Sequence, residues 1–272
     1  MVSIESSLVS VQWLSKNKEA SNIIILDASI KNVTGDGSEN ETRQIPKARF
    51  IDIKNKFSDV SASFPNTVPS ANQFKLEAQL LGINKDSAIV VYDDKGIYSS
   101  ARAWYLFRAF GFNNVAVLDG GLPQWEHAGY AVENKNTIEY NSGNFEASYN
   151  PEYFNFFDDI EHLSNNSNCL ILDARSSIRF NGQVEEPRKG LRSGNIPNSV
   201  NLPFATLMDG NCLKSEADLR RIFKDLKVSN KGMIFSCGSG ITACILALAA
   251  EMSGYKDLSV YDGSWTEYGS LT

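Results

Sequence analysis

The sequence predicts an α/β protein made twice over: two tandem domains, each a mainly parallel sheet flanked by helices. Three observations carry this expectation. Short apolar strands alternate with helix-patterned stretches, the rhythm of right-handed crossovers between parallel strands. The same series of signposts occurs in both halves, with a spacing of 146 residues between Asp27 and Asp173. At 272 residues, the chain is long enough for two ordinary domains, each with a core of its own.

Each half opens on an apolar run that closes on Asp-Ala, at Leu26-Asp27-Ala28 and again at Leu170-Ile171-Leu172-Asp173-Ala174. An Ile-Pro step follows in both, Ile45-Pro46 before Phe50-Ile51 and Ile196-Pro197 before Val200-Asn201-Leu202. Next come buried-type strands, Ile89-Val90-Val91-Tyr92 and Met233-Ile234-Phe235, each entering a helix through a glycine-containing loop. Asp93 falls in the first half where Cys237 falls in the second. The first of these helices has apolar residues at Ala103, Leu106, Phe107 and Phe110 and stops at Gly111. The second has Ile241, Ile245, Leu248 and Met252 and stops at Gly254, so both read as one-faced helices with glycine caps. Each half then ends on a strand and an Asp-Gly turn, at Asp119-Gly120 and Asp262-Gly263, followed by Trp125 or Trp265. Between the halves the sequence turns polar and loses its periodicity, which places a first domain at 1–135, a linker at 136–151 and a second domain at 152–272.

Composition narrows the function classes. Hydrophobic residues at 42% and charged residues at 21% are globular values, and no stretch approaches the roughly 18 apolar residues of a membrane span. The opening Met1-Val2-Ser3-Ile4-Glu5 lacks the features of a signal peptide, so a cytoplasmic protein is expected, without membrane attachment. The four cysteines, Cys169, Cys212, Cys237 and Cys244, form no Cys-x-x-Cys pair, which argues against a disulfide framework and a zinc site. A net charge of -6, with both signs mixed along the chain, leaves no nucleic-acid footprint. Duplication already supplies a domain pair, so a monomer is expected.

Chemistry concentrates at Cys237. The strand Gly232-Met233-Ile234-Phe235-Ser236 closes on it, and Cys237-Gly238-Ser239-Gly240-Ile241-Thr242-Ala243 leads into a helix. Such a loop gathers backbone N–H groups around one point, and the helix N-terminus adds partial positive charge. A cysteine thiol with an ordinary pKa of roughly 8.5 falls toward roughly 3.5–7.5 in such places, so the nucleophilic thiolate is favoured. Gly238 and Gly240 allow backbone angles that other residues resist, and Thr242 and Ser236 are expected to hydrogen-bond within the loop. Cys244 and Cys169 read as packed thiols, and Cys212, in a polar segment, as one open to oxidation.

Other glycine-loop chemistries fit poorly. Gly238-Ser239-Gly240-Ile241-Thr242-Ala243 matches the dinucleotide pattern, with Asp262 near the position of a ribose-binding acid, but that fold needs several further strands and only one follows. A cysteine phosphatase requires an arginine where Ala243 stands, and no Gly-Lys-Ser/Thr sequence of a triphosphate loop is present. A cysteine hydrolase requires a histidine base, yet His127 and His162 both lie in polar helical segments.

On the loop Cys237-Gly238-Ser239-Gly240-Ile241-Thr242-Ala243, the chain resembles the rhodanese superfamily, and within it the two-domain 3-mercaptopyruvate sulfurtransferases, whose loop reads C-G-S-G-V-T-A. Arg102-Ala103-Trp104 through Gly111, Leu118-Asp119-Gly120-Gly121 and Asp262-Gly263-Ser264-Trp265 extend the resemblance over nearly the whole chain. It implies a silent first domain, in keeping with Asp93, and a substrate pocket using Arg179, in an Arg-Phe step, and Arg188, in a Glu-Pro-Arg step. Two guanidinium groups suit a small carboxylate. Thiosulfate enzymes of this fold carry two cations where Gly238 and Ser239 stand. The family places a histidine before the first Ile-Pro step, proposed to act with the loop serine and an aspartate. This chain has Gln44 there, which leaves Ser239 without that partner, and Asp36 aligns too loosely to be assigned.

The resemblance thus implies an enzyme in which Cys237 removes sulfur from 3-mercaptopyruvate, pyruvate leaves with help from loop N–H groups and Ser239, and a persulfide passes sulfur to a second thiophile. Acceptors would be cyanide, a small thiol or a thioredoxin-like dithiol protein, with ping-pong kinetics and no metal or organic cofactor. Thiosulfate:cyanide sulfurtransfer and a non-catalytic persulfide carrier are the alternative readings.

Overall fold

A computed structural model describes residues 1–30, 42–136, 138–164, 169–226 and 232–272. The chain forms two compact units. One comprises residues 1–59, 68–150 and 210–213, and the other residues 60–67, 151–209 and 214–272. Each half of the sequence therefore lends a short segment to the other unit.

The first unit contains β1 (Leu8–Val9), α1 (Val11–Asn17), β2 (Ile23–Asp27), β3 (Arg43–Gln44), β4 (Arg49–Phe50), α2 (Ala71–Leu80), β5 (Ala88–Tyr92), α3 (Ser100–Ala109), β6 (Val115–Leu118), α4 (Gly121–His127) and β7 (Glu133–Asn134). Five strands make a parallel sheet in the order β1-β6-β5-β2-β4. Its central strand β5 is buried throughout, which is why it reads as a continuous apolar run. Alternate residues serve opposite faces. Val90 and Tyr92 join Val11 and Leu14 of α1 and Leu122 and Trp125 of α4 in one cluster. Elsewhere in the unit, Phe74 of α2 stacks on Phe110 with ring centroids 4.2 Å apart and meets Phe107 of α3 edge-on at 5.2 Å.

The rest of the chain continues with β8 (Phe154–Asn155), α5 (Phe157–Leu163), β9 (Cys169–Asp173), α6 (Ser177–Phe180), β10 (Val200–Asn201), β11 (Met208–Asp209), β12 (Cys212–Leu213), α7 (Glu216–Asp225), β13 (Gly232–Ser236), α8 (Ala243–Met252), β14 (Leu258–Tyr261) and α9 (Ser264–Leu271). The second unit's parallel sheet runs β10-β9-β13-β14-β8. Read from the other edge this is the order of the first sheet, element for element. Ile160 of α5 and Trp265 and Tyr268 of α9 cluster with Ile171, Ile234 and Tyr261 of the strands.

The duplicated signposts occupy matching places. Asp27 pairs with Tyr92 and Asp173 with Ser236, so Asp93 and Cys237 each lie one residue past the central strand. Ile51 N–H donates to the Asp27 carbonyl and Leu202 N–H to the Asp173 carbonyl, both at 2.9 Å. Gly111 and Gly254 end α3 and α8 at φ +82° and +88°, the left-handed turn that favours glycine. Phe112 then donates to Phe107 and Tyr255 to Ala250, so both helices close the same way.

One expectation changes. Helices α3 and α8 are buried on nearly all sides rather than on one face. Eight of the ten residues of α8 are buried, and its sequence ACILALAAEM is apolar all round, as a fully enclosed helix requires. Among the described residues, no helix is long and apolar enough to cross a membrane.

Candidate active site

Cys237 follows β13 directly and is 2% exposed. This is the carboxyl edge of a parallel sheet, where α/β proteins place their sites. The loop turns at Gly240, whose φ of +76° lies in the region glycine enters at no steric cost, and reaches Thr242, which caps the N-terminus of α8. Its shape is set from the start of α9. The Ser264 hydroxyl accepts from the N–H groups of Cys237 and Gly240, both at 3.1 Å, and donates to the Tyr261 carbonyl at 2.8 Å. Trp265 N–H donates to the Cys237 carbonyl at 3.0 Å, and Thr266 donates to the Gly238 carbonyl through both its N–H, at 2.9 Å, and its hydroxyl.

These bonds correct the roles expected of Ser236 and Thr242. Among the described residues the buried Ser236 hydroxyl has no hydrogen-bond partner, and Thr242 makes no side-chain capping bond. The Cys237 and Gly240 amides and the Cys237 and Gly238 carbonyls are engaged instead by Ser264, Trp265 and Thr266. Ile241 of the loop is buried.

The two arginines meet at Gly238. A β-carbon there would lie 3.3 Å from Arg179 Nη2 and 3.7 Å from Arg188 Nη1. Glycine next to the thiol thus leaves room for both guanidinium groups. Arg179, from α6, is gripped along one edge by Glu186, with Nε donating to Oε1 at 3.2 Å and Nη2 to Oε2 at 2.5 Å. Glu186 also accepts from Arg175 Nη1 at 3.0 Å, and Arg175 in turn binds the Asp173 carboxylate through Nε and Nη2. Burial pushes the Asp173 carboxyl above its ordinary range, and the bonds from Arg175 oppose that shift. Arg175 and Arg179 thus share the Asp173 and Glu186 carboxylates, and Arg188 brings a further guanidinium group to the glycine beside the thiol. The charged run around Arg188 sorts itself by depth: Glu186 is buried, Arg188 half-buried, Glu185 and Lys189 exposed.

Ser239 lies beside Arg188, whose Nη2 donates to its hydroxyl at 2.9 Å. The second polar neighbour is Asn66, whose Nδ2 is 3.0 Å from both the Ser239 carbonyl oxygen and Oγ. Residues 60–67 belong to the second unit, so a piece of the first half of the sequence furnishes this contact. Gln44, the residue expected at the vacant partner position of Ser239, is engaged within the first unit, where its Nε2 donates to Glu133 Oε1 at 2.7 Å and to the Ala48 carbonyl. Asp36 lies outside the described residues. His127 and His162 are exposed on α4 and α5.

Cys244 is packed, with its Sγ 3.3 Å from the Gly240 carbonyl oxygen, and Cys169 packs against the α5–α9 cluster. Cys212 is half-buried and hydrogen-bonds the Asp119 carboxyl of the first unit. Ser264, Glu186 and Asn66 were not singled out as site residues in the sequence. Ser264 lies in the repeated Asp-Gly turn, where the first half has Gly121, and that difference between the halves is its only sequence signal.

Comparison with known proteins agrees with this architecture. The rhodanese-like domain family matches residues 10–128 and again 157–271. The 3-mercaptopyruvate sulfurtransferase of Escherichia coli (strain K12) is 35% identical over 268 residues, covering 96% of this chain and 94% of the relative. The mitochondrial thiosulfate/3-mercaptopyruvate sulfurtransferase 1 of Arabidopsis thaliana is 36% identical, covering 99% of this chain and 77% of the relative. The crystal structure of SseA from Escherichia coli, described as a 3-mercaptopyruvate sulfotransferase, superposes with a TM-score of 0.84 at 33% identity, covering 96% of this chain and 99% of that one. With two matched regions and two parallel sheets of one strand order, the chain belongs to the rhodanese family as a tandem of rhodanese-like domains.

Proposed function

We propose that this protein is a sulfurtransferase that moves sulfur from 3-mercaptopyruvate through a Cys237 persulfide to a thiol or cyanide acceptor and releases pyruvate. One observation carries the reading: a buried thiol at the end of β13 has two guanidinium groups, from Arg179 and Arg188, converging on the adjacent Gly238. Names of the related enzymes, with near full-length similarity, support the same donor.

In the first stage the donor carboxylate pairs with Arg179 and Arg188 by charge-assisted hydrogen bonds. The Cys237 thiolate attacks the donor sulfur, a sulfur–sulfur bond forms, and the carbon–sulfur bond breaks with its electron pair passing into an enolate. The proton of the donor thiol ends on the enolate carbon, which gives pyruvate and an anionic persulfide. Hydrogen-bond donors at the loop, Ser239 among them, stabilise the enolate oxygen. In the second stage the acceptor attacks the outer sulfur and regenerates the Cys237 thiolate. Gly238, Gly240, Ile241 and Thr242 shape the loop and carry no chemistry of their own.

Residues 152–272 hold the catalytic domain and 1–135 the silent one, because a carboxylate at Asp93 cannot carry sulfur. Gly238 and Ser239 add no loop cation to the guanidinium groups of Arg179 and Arg188, which favours a carboxylate donor over one bearing a sulfonate. A compartment that keeps thiols reduced, the cytoplasm, suits four free cysteines.

The test is turnover of 3-mercaptopyruvate and of thiosulfate, with a thiol or cyanide acceptor, alongside intact mass after donor exposure, for wild type and Cys237→Ser. Preferential turnover of mercaptopyruvate and one added sulfur atom, lost in Cys237→Ser, is expected. Preference for thiosulfate overturns the donor, and loading without repeated turnover turns the enzyme into a carrier.

A further inference from the structure

The loop carries a second device, in the hydrogen bonds around Ser239. Asn66 has a φ of +63°, in the left-handed region that asparagine tolerates better than most residues, and is 7% exposed. Its amide orientation follows from the contact with Ser239. A main-chain carbonyl can only accept, so the atom 3.0 Å from the Ser239 carbonyl oxygen is the amide nitrogen. That same nitrogen is 3.0 Å from Ser239 Oγ and donates to it. Arg188, which has no acceptor atoms, donates to Oγ from the other side at 2.9 Å.

A serine oxygen has two lone pairs and one proton. Two donors occupy the lone pairs, and the proton has no acceptor among the described residues. The hydroxyl is left as a donor whose direction is fixed by its neighbours. A carboxamide neither takes up nor gives a proton near neutral pH, so Asn66 cannot serve as a base for Ser239.

We propose that Asn66 is a positioning residue that, together with Arg188, holds the Ser239 hydroxyl as a fixed hydrogen-bond donor to the oxygen anion formed as the sulfur donor's carbon–sulfur bond breaks. This rests on the sulfur-transfer reading above. The electron pair of that bond passes to the enolate oxygen, which accepts from Ser239, while the proton that completes pyruvate comes from the donor thiol. Ser239 keeps its own proton throughout. The device stabilises charge without a proton relay, and a donor to such an oxyanion is worth about 10²–10³ in kcat.

The experiment is turnover of 3-mercaptopyruvate by the full chain from about pH 5.5 to about pH 9.5, with kcat and KM resolved, for wild type, Asn66→Asp, Asn66→His, Ser239→Ala and the Asn66→Asp/Ser239→Ala double variant. Aspartate replaces the donor by an acceptor that captures the Ser239 proton. Asn66→Asp is expected to lose about a hundredfold in kcat, as Ser239→Ala does, with KM within about threefold, and the double variant to lose no more than either single one. Asn66→His keeps an N–H donor, so it retains kcat within about tenfold above pH 7.5 and adds an inflection near the histidine pKa of about 6.5 that wild type lacks.

Wild-type kcat in Asn66→Asp overturns the proposal, as do losses that multiply in the double variant, which is how a merely structural asparagine behaves. If Asn66→Asp does not fold, an Asn66→His profile without the new inflection has the same force. Absence of any sulfur on wild-type Cys237 is a different failure: it removes the sulfur-transfer reading and this proposal with it.

Discussion

The loop geometry turns on the Ser264 hydroxyl, which holds two of its amides. Ser264→Ala strips the acceptor from the Cys237 and Gly240 amides and the donor from the Tyr261 carbonyl. Cys237, Gly240 and Ser264 are all buried, and the gap left by one oxygen is too small for water to replace it. A buried donor left unmade costs about 1–3 kcal/mol, so two orphaned amides cost about 2–6 kcal/mol. A loss of about 3 kcal/mol lowers the melting temperature by about 6–12 °C at this chain length. Ser264→Gly loses the same bonds but relieves a serine held at φ +50°. That relief of about 1–2 kcal/mol is partly offset by the entropy of glycine in the unfolded chain, so the glycine variant melts slightly above the alanine variant. Both variants let the loop drift, and a displacement of about 1 Å costs on the order of a hundredfold in turnover. Differential scanning calorimetry and sulfur loading measured by intact mass check the two halves of the prediction. An alanine variant that melts within about 1 °C of wild type and loads sulfur at the wild-type rate refutes the hub.

Three further outcomes follow from the same geometry. Glu186→Ala leaves Arg175 and Arg179 without their shared carboxylate. Breaking a buried pair costs about 3–5 kcal/mol, and urea titration should show it together with a raised KM for the carboxylate donor as Arg179 loses its place. Glu267 tests the sign of a pH effect. Burial pushes its carboxyl above the ordinary range, the neighbouring Tyr261 hydroxyl opposes this, and Asp262 and Asp158 add to it. Such a group opposes folding progressively as pH rises from its unfolded value of about 4.3 through its folded one, and in full above that. Glu267→Gln should therefore melt higher than wild type at about pH 7 and lose that advantage at about pH 4. Two glycines separate conformation from crowding. Gly254→Ala, at φ +88° with open space around it, should cost about 1–2 kcal/mol. Gly121→Ala, at φ +53°, puts its β-carbon 2.4 Å from the Asp93 carbonyl oxygen and 2.5 Å from that of Gly96, and should cost about 2–5 kcal/mol by chemical denaturation.

The fold was legible because its signals are local. Continuous apolar runs marked β2, β5, β9 and β13, glycines marked the ends of α3 and α8, and the repeat of Asp27, Ile45-Pro46 and Asp119-Gly120 in the second half fixed the strand correspondence. The loop was legible for the same reason, since Cys237 through Ala243 is contiguous. What escaped is held by contacts between residues distant in sequence. Ser264 reaches back 27 residues to the Cys237 amide, and Asn66 reaches across 173 to Ser239. No periodicity in Ser61 through Thr67 announces that the segment folds with the second unit. Glu186 sits in a stretch so charged that burial could not be guessed, and its two arginine partners make that burial tolerable. For Gln44 a motif gave the place in the sequence but not its neighbours, Glu133 and the Ala48 carbonyl.

The contrast between Asp93 and Cys237 gives a physical reason why one loop fits sulfur chemistry and its duplicate does not. Each residue follows its central strand, and each offers its carbonyl to the N–H at the start of the last helix of the unit, Leu122 and Trp265, at 3.0 Å in both. In the first unit the amides of Lys95, Tyr98 and Ser100 all donate to the Asp93 carboxylate, at 2.9, 2.7 and 2.9 Å, and the Ser100 hydroxyl adds a fourth bond. The fold at this place is thus an anion cradle, and Asp93 fills it with its own carboxylate. With those donors satisfied from within, the first loop has none of these groups to offer a substrate. At Cys237 the resident atom is sulfur on a shorter side chain, which does not span the loop as a carboxylate does. The second unit also replaces Gly121 by Ser264, so that a hydroxyl holds the Cys237 and Gly240 amides in place. Substituting Asp93 by cysteine would therefore not create a second site, because the first unit has neither that hydroxyl nor, with Asp93 and Gly96 oxygens crowding Gly121, the space to introduce it.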